Sequence, residues 1–305
     1  MEAPTRLERA PDALCDFVGR ADLWLKREDE NELGVFKWRG ALPVVEALAR
    51  DGYEAVVTAS TGNHGAAVAW ACRTVGVRAI VFVPPGAAER KLANLERLGA
   101  DVRVAGGDLD EAKDVARGFA NEAELRFFED GAEPLQYDAY EAIGDEIADR
   151  CPDVAMVVTP IGNGALAAGV GTAIRRRSPV ATRVGVVAKD MPVMAESHET
   201  GRPLERHSGA TIADGLAVRV AIPLAVERLR DAVDRMILVS EREIGAALVV
   251  CHDAGVEVEP SAAAALAAAR SLPASNGAVA LVVTGRNVDE ALVERARDDP
   301  LSFPD

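Results

Sequence analysis

Residues 55–74 read Ala-Val-Val-Thr-Ala-Ser-Thr-Gly-Asn-His-Gly-Ala-Ala-Val-Ala-Trp-Ala-Cys-Arg-Thr. A short β-branched run, 55–58, passes through a Ser/Thr/Gly/Asn loop into a helix-like stretch, 65–74. This is the strand–loop–helix unit of a parallel sheet, whose strands are covered on both faces and read as unbroken apolar runs. The unit recurs along the chain. Run 78–83 precedes helical 88–98, and 101–104 precedes 109–121; runs 155–159, 183–187, 235–239 and 279–283 each adjoin a helical pattern. Pro84-Pro85-Gly86 and Glu133-Pro134 are turn signals. The rhythm predicts an α/β fold with two lobes.

Composition narrows the function. The 305 residues are 49% hydrophobic and only 4% aromatic, and 34 Lys plus Arg against 49 Asp plus Glu leave a net charge of −15. Such a surface repels phosphate backbones and anionic lipid, so neither nucleic acid nor a membrane surface is an expected partner. The longest basic run is Arg175-Arg176-Arg177. Residues 154–174 carry no charge and precede it, superficially like a membrane span. They also hold Pro160, Asn163 and four glycines, which fit a buried strand, a glycine turn and a small-residue helix better. Cys15, Cys72, Cys151 and Cys251 are too far apart for a local zinc site and read as reduced thiols. No basic patch with an apolar stretch opens the chain, so no signal peptide is expected and the expected compartment is the cytoplasm.

Three loops follow predicted strands and could hold an anion. Ser60-Thr61-Gly62-Asn63-His64-Gly65 opens a helix with free N–H groups, and Gly162-Asn163-Gly164-Ala165-Leu166 is built the same way. The second is not a dinucleotide fingerprint, because Ala167 stands where the third glycine belongs, and it lacks the Lys-Ser/Thr ending of a P-loop. The third is Thr284-Gly285-Arg286-Asn287. Loops at the C-terminal ends of strands in one parallel sheet converge on one crevice. Each loop alone is equally an ordinary helix cap or tight turn.

Only five of the 34 basic residues are lysines. Lys91 and Lys113 lie in charged helical patterns. Lys37, in Val35-Phe36-Lys37-Trp38-Arg39-Gly40, stands between two bulky aromatics. Apolar walls around an amine favour its neutral, nucleophilic form, as a Schiff-base lysine requires. The alternative is a snorkelling lysine at a helix start.

Together these segments resemble the fold-type II pyridoxal-phosphate enzymes, the tryptophan-synthase-β-like superfamily, and within it the threonine/serine dehydratase and serine racemase group. The likeness spans roughly residues 22–290. It rests on Leu25-Lys26-Arg27-Glu28-Asp29 with Phe36-Lys37-Trp38-Arg39-Gly40-Ala41, on 60–65 and on 162–166. Thr211-Ile212-Ala213-Asp214-Gly215, Glu259-Pro260-Ser261-Ala262 and Thr284-Gly285-Arg286-Asn287 follow in family order. The resemblance implies two open, mostly parallel twisted sheets covered by helices, forming a large and a small lobe with the cofactor in the cleft between them. The large, cofactor-binding domain is expected over 1–46 and 133–305, and the small substrate-loop domain over 47–132.

The resemblance also implies roles. Lys37 would hold pyridoxal 5′-phosphate covalently and later act as the base on Cα. Phe36 would pack near the ring, Asn63 would bond the ring hydroxyl, and Thr284 would face the pyridine nitrogen, with Glu259 in the same cofactor-binding set. Gly162, Asn163, Gly164, Ala165 and Leu166 would offer N–H groups to the phosphate. Ser60, Thr61, Gly62, Asn63 and His64 would bind the substrate, and Thr61 could return a proton to the opposite face. A threonine hydroxyl is a weak acid, so the ring would be a modest electron sink, favouring prompt loss of a β-substituent. The expected activity is an ammonia-lyase for serine, threonine or 3-hydroxyaspartate, in amino-acid metabolism. β-Replacement, threonine-synthase-like chemistry, racemisation and a non-catalytic cofactor binder are the alternatives. A homodimer is the assembly the resemblance implies.

The chain departs from the pattern at several positions. Val35 stands where relatives usually have serine. Arg286 replaces a glycine and either shapes substrate choice or points away. Tyr140-Glu141 replaces small residues and would narrow the site. Ala188-Lys189-Asp190-Met191 lacks the glutamate that starts the usual divalent-cation site, so no metal is expected, and Lys189 could take the cation's place. Eighteen residues follow the last motif, so no amino-acid-binding regulatory domain is expected after it.

Overall fold

The computed structural model describes residues 4–206, 208–273 and 277–305. The chain forms two compact units, Met1–Phe36 with Tyr140–Asp305, and Lys37–Ala139. In chain order the first unit begins with β1 (Leu7–Arg9), α1 (Asp12–Val18) and β2 (Leu23–Arg27). The second unit runs through α2 (Trp38–Arg50), β3 (Ala55–Ala59), α3 (Asn63–Val75), β4 (Arg78–Val83), α4 (Glu89–Arg97), β5 (Ala100–Val104), α5 (Leu109–Glu122) and β6 (Arg126–Phe127). Helix α6 (Pro134–Arg150) leads back to the first unit. There follow β7 (Val154–Pro160), α7 (Ala165–Arg177), β8 (Thr182–Ala188), α8 (Val193–Thr200), α9 (Pro223–Ala232), β9 (Arg235–Val239), α10 (Glu241–Asp253), α11 (Pro260–Ala269), β10 (Ala278–Val283) and α12 (Glu290–Asp298).

The first unit holds a six-stranded sheet in the order β1-β2-β10-β7-β8-β9. All its pairings are parallel except β1 with β2 at the edge. Every residue of β10, Ala-Val-Ala-Leu-Val-Val, is buried, as a strand covered on both faces must be. Helix α11 touches β7, β8, β9, β10 and α10, and all ten of its residues are buried. Seven of those ten are alanines, small enough to let a helix without a polar face pack against the sheet and its neighbour helix. The uncharged stretch 154–174 is β7, a glycine turn and the start of α7. No described helix is long and apolar enough to cross a membrane.

The second unit holds a four-stranded, all-parallel sheet in the order β5-β4-β3-β6. Its core joins Ala55, Val57 and Ala59 of β3, Ile80 and Phe82 of β4, and Ala116 and Ala120 of α5. The edge strand β5 carries Asp101 and Arg103, polar residues that discourage further pairing.

The basic run ending α7 is neutralised within the first unit. Arg176 pairs with Glu141 and Asp145 of α6, and Arg177 with Asp145 and Asp149. Exposed pairs of this kind add little stability, but they offset the charge of the longest basic run in the sequence.

Candidate active site

In the second unit, Lys37 is the residue before α2 and has no oxygen with which to cap it. Its Nζ lies 2.5 Å from Asp130 Oδ2. The two side chains are 16% and 24% exposed, so the pair is largely but not fully enclosed. The aromatic neighbours have ring partners of their own. The Trp38 ring meets Trp70 edge-on at 6.4 Å, with the Arg39 guanidinium over it at 4.9 Å. In the first unit, Phe36 packs on Tyr140 at 5.2 Å. Side chains adjacent in sequence leave the backbone in different directions, and the amine meets a carboxylate.

Asp130 is held from behind. Gln136 Nε2 donates to Asp130 Oδ1 at 3.1 Å, and the Gly131 N–H donates to Gln136 Oε1 at 2.7 Å. Tyr137 donates its hydroxyl to the Gly131 carbonyl at 2.6 Å, closing the turn into α6. His64 Nδ1 is 3.5 Å from Asp130 Oδ1, its Nε2 is 3.4 Å from the Phe128 carbonyl, and its ring meets Phe128 edge-on. Burial pushes the Asp130 carboxyl up, but the charge of Lys37, that of His64 once acid protonates its ring, and the hydrogen bonds from Lys37 and Gln136 outweigh it. The carboxyl is thereby held well below the usual carboxylate range. Burial pushes His64 below its ordinary value despite the pull of Asp130, so its ring is neutral at neutral pH.

The 60–65 loop joins β3 to α3. The Ser60 N–H donates to the Phe82 carbonyl, and the Gly62 N–H donates to Ser60 Oγ at 3.2 Å. A Cβ on Gly65 would stand 2.6 Å from the Ser60 carbonyl oxygen, so only glycine lets the loop fold back on the helix. No acidic residue lies in the first turn of α3, and no side chain caps it. Its N-terminal N–H groups therefore favour an anion.

The other motifs assemble within the first unit. Gly164 has a positive φ of 101°, and a Cβ there would meet Leu229 at 2.8 Å; a Cβ on Gly162 would meet the Gly215 carbonyl oxygen at 2.2 Å. Both positions need glycine. Ala165 N–H donates to Asn163 Oδ1 at 3.0 Å. Gly215 N–H donates to Ser261 Oγ, which brings 211–215 to 259–262. Thr284, 3% exposed, donates its hydroxyl to Glu259 Oε1 at 3.0 Å, and its carbonyl accepts from the Phe36 N–H. Five of the six motifs noted in the sequence thus have residues in this unit, and the Gly162, Asp214-Gly215 and Ser261 segments meet one another, as do Glu259, Thr284 and Phe36. Arg286 is exposed and reaches the Asn31 carbonyl at 3.4 Å, toward the 31–34 turn. Tyr140 is buried and Lys189 exposed. All four cysteines are free, and burial pushes the Cys72 and Cys251 thiols up to about 12, which disqualifies both as nucleophiles.

Asp130 and Gln136 are the residues that sequence reading missed. They follow β6, a two-residue strand too short to leave any periodic trace. The available signal was the Asp130-Gly131 turn after an Arg-Phe-Phe run.

A family model described as "Pyridoxal-phosphate dependent enzyme" matches residues 1–285. The L-threonine ammonia-lyase of Thermotoga maritima is 34% identical over 293 residues, covering 95% of this chain and 73% of that protein. Among solved structures, processed threonine deaminase isoform 2 from Solanum lycopersicum matches with a TM-score of 0.91 at 28% identity, covering 96% of this chain and 87% of that one. Maize serine racemase matches with a TM-score of 0.88 at 27% identity, covering 98% and 93%.

Proposed function

The chain belongs to the pyridoxal-phosphate dependent enzymes, and from that premise we propose that it is an ammonia-lyase that converts a hydroxy-amino acid to a 2-oxo acid and ammonia. The candidate substrates are serine, threonine and 3-hydroxyaspartate. The residues fit the cofactor: a lysine side chain that is not fully enclosed, two glycines, 162 and 164, where a Cβ would collide, and a buried threonine hydroxyl. The observation that carries the proposal is Lys37, whose amine is held in place by a carboxylate yet keeps an opening.

When bound, the cofactor supplies an electron sink that acidifies the Cα hydrogen of the amino acid attached to it. The protein's own groups do the rest. Lys37 would hold the cofactor through its ε-amine, and that amine, when free and neutral, would take the Cα proton. Gly162, Asn163, Gly164, Ala165 and Leu166, at the start of α7, would hold the phosphate, and Asn63 would bond the ring hydroxyl. The substrate carboxylate sits against Ser60, Thr61, Gly62 and His64, where the N-terminal N–H groups of α3 favour negative charge. Thr284, whose hydroxyl donates to Glu259, would offer the ring nitrogen only a weak acid, which suits elimination rather than prolonged storage of a carbanion. Loss of the β-hydroxyl and hydrolysis of the resulting enamine balance overall as hydroxy-amino acid to 2-oxo acid plus ammonia.

The reading carries with it a large cofactor-binding domain and a small substrate-loop domain, a homodimer, and a cytoplasmic enzyme acting on a free amino acid. The test is to record the visible spectrum of the purified protein, map the peptide labelled after borohydride reduction, and assay 2-oxo acid release over hydroxy-amino acids of both hands. Label on Lys37 and 2-oxo acid formed without an added nucleophile are expected. Label elsewhere, or product only when a thiol is added, overturns the proposal.

A further inference from the structure

Asp130 has no role in the chemistry described so far, yet it lies closer to the Lys37 amine than an ordinary hydrogen bond requires. One of its oxygens is tied down by Gln136 and faces His64, and the other points at Lys37. Both supports are neutral, Gln136 by nature and His64 because it is buried. Lys37 is therefore the group that balances the carboxylate's charge.

That balance does not survive the reaction. The amine must be neutral when it forms its covalent link and neutral again when it takes a proton. At both points Asp130 Oδ2 faces a lysine that carries no positive charge. A partly enclosed carboxylate in that position is stabilised by any ligand that brings a cation or an O–H donor, and it repels another anion. The turn formed by Gly131, Gln136 and Tyr137 keeps the carboxylate from swinging out to water instead.

Resting on the assignment of Lys37 as the cofactor lysine, we propose that Asp130 is a specificity-determining residue. Its fixed carboxylate reserves the space beside the reacting amine for an amino acid whose β-substituent is an ammonium or a hydroxyl, and it excludes a β-carboxylate. Among the candidate substrates this favours serine and threonine over 3-hydroxyaspartate. It also extends the range to 2,3-diamino acids, where β-elimination expels ammonia in place of water.

The test compares three ligands that differ at Cβ: 2,3-diaminopropionate (ammonium), serine (hydroxyl) and aspartate (carboxylate). Dissociation constants are taken from the rapid change in the visible spectrum on mixing with the holoenzyme, before turnover. The wild type is expected to bind 2,3-diaminopropionate and serine at least about tenfold more tightly than aspartate, since like-charge contacts discriminate at least this strongly. Asp130→Asn, which keeps the shape and removes the charge, is expected to narrow that gap to less than about threefold, the sign of an electrostatic rather than a steric filter. If this variant does not fold, Asp130→Ser is read in its place. The proposal is overturned if wild-type protein binds aspartate as tightly as serine, or if the gap persists unchanged in the folded variant. Borohydride labelling of the wild type is done first: failure to tag Lys37 sinks the cofactor assignment itself, before any ranking is measured, and this proposal falls with it.

Discussion

Lys26 and Lys37 stand eleven residues apart, and each faces carboxylates, yet their surroundings differ in a way that separates a structural lysine from a reactive one. Lys26, on β2, is wholly enclosed. Its amine donates to the Thr5 carbonyl at 2.9 Å, to the Thr5 hydroxyl and to Glu146, with Glu28 3.5 Å away. An ammonium has three donors, and these contacts occupy all of them. Glu28 is itself wholly buried and accepts from Thr5 at 2.5 Å. Lys37 is held by a carboxylate too, but that carboxylate's own supports are neutral and both side chains keep some exposure. Enclosure and full coordination make the first lysine inert. An anchored but incompletely enclosed partner leaves the second free to exchange its bond for another.

The comparison breaks if the two substitutions to alanine behave alike. Lys37→Ala is expected to lower 2-oxo acid release by about 10³-fold or more, a barrier increase of about 4 kcal/mol. Its unfolding free energy in urea should stay within about 2 kcal/mol of the wild type, because a partly exposed pair contributes modestly. Lys26→Ala should do the reverse. Leaving Glu28 and Glu146 without their buried cation is expected to cost about 3–5 kcal/mol of stability. Turnover per folded molecule should change little. Comparable loss of stability in both variants would show that enclosure does not distinguish the two sites.

A third substitution sharpens the contrast between reactive amine and rigid support. Gly164→Ala forces a side chain into a positive-φ position with Leu229 2.8 Å from its Cβ. The expected cost is about 1–3 kcal/mol, and it should appear as weaker retention of the cofactor on dialysis, with Lys37 still labelled by borohydride. Equal retention by wild type and variant would remove 162–166 from the phosphate site.

The contrast also explains how much of the molecule could be read in advance. Buried parallel strands advertise themselves, because β3 and β10 are β-branched or apolar at every position. The glycines at 162 and 164 were equally open to reading, since a position that tolerates no Cβ leaves glycine as its trace. Lys37 stood out by rarity. Its environment did not, because the flanking aromatics turn toward Trp70 and Tyr140 while the amine finds a residue 93 positions away. Asp130 follows a two-residue strand in a turn without periodicity, so only its Asp-Gly turn set it apart from the other acids of an acidic chain. The Lys26 cluster was hidden for the same reason: a lysine at 26, glutamates at 28 and 146 and a threonine at 5 meet through tertiary packing alone.

The smallest expected effect is in the pH dependence of stability, and it separates the lysine's two neighbours. The folded-state carboxyl of Asp130 lies below its unfolded value, so it contributes stability that is present above about pH 4 and lost as the pH falls through that region and below. His64 is also shifted downward. Folding then favours the neutral ring, and that contribution is present above about pH 6.5 and lost as acid charges the unfolded imidazole. The two losses occupy different windows. Asp130→Asn should flatten the acid limb of a urea-unfolding series below about pH 4, and His64→Gln the stretch just below about pH 6.5. If both variants flatten the same stretch, the pair titrates as one coupled unit. In that case His64 would gain charge together with Asp130 losing it, and the fixed negative charge beside Lys37 would be a property of the pair.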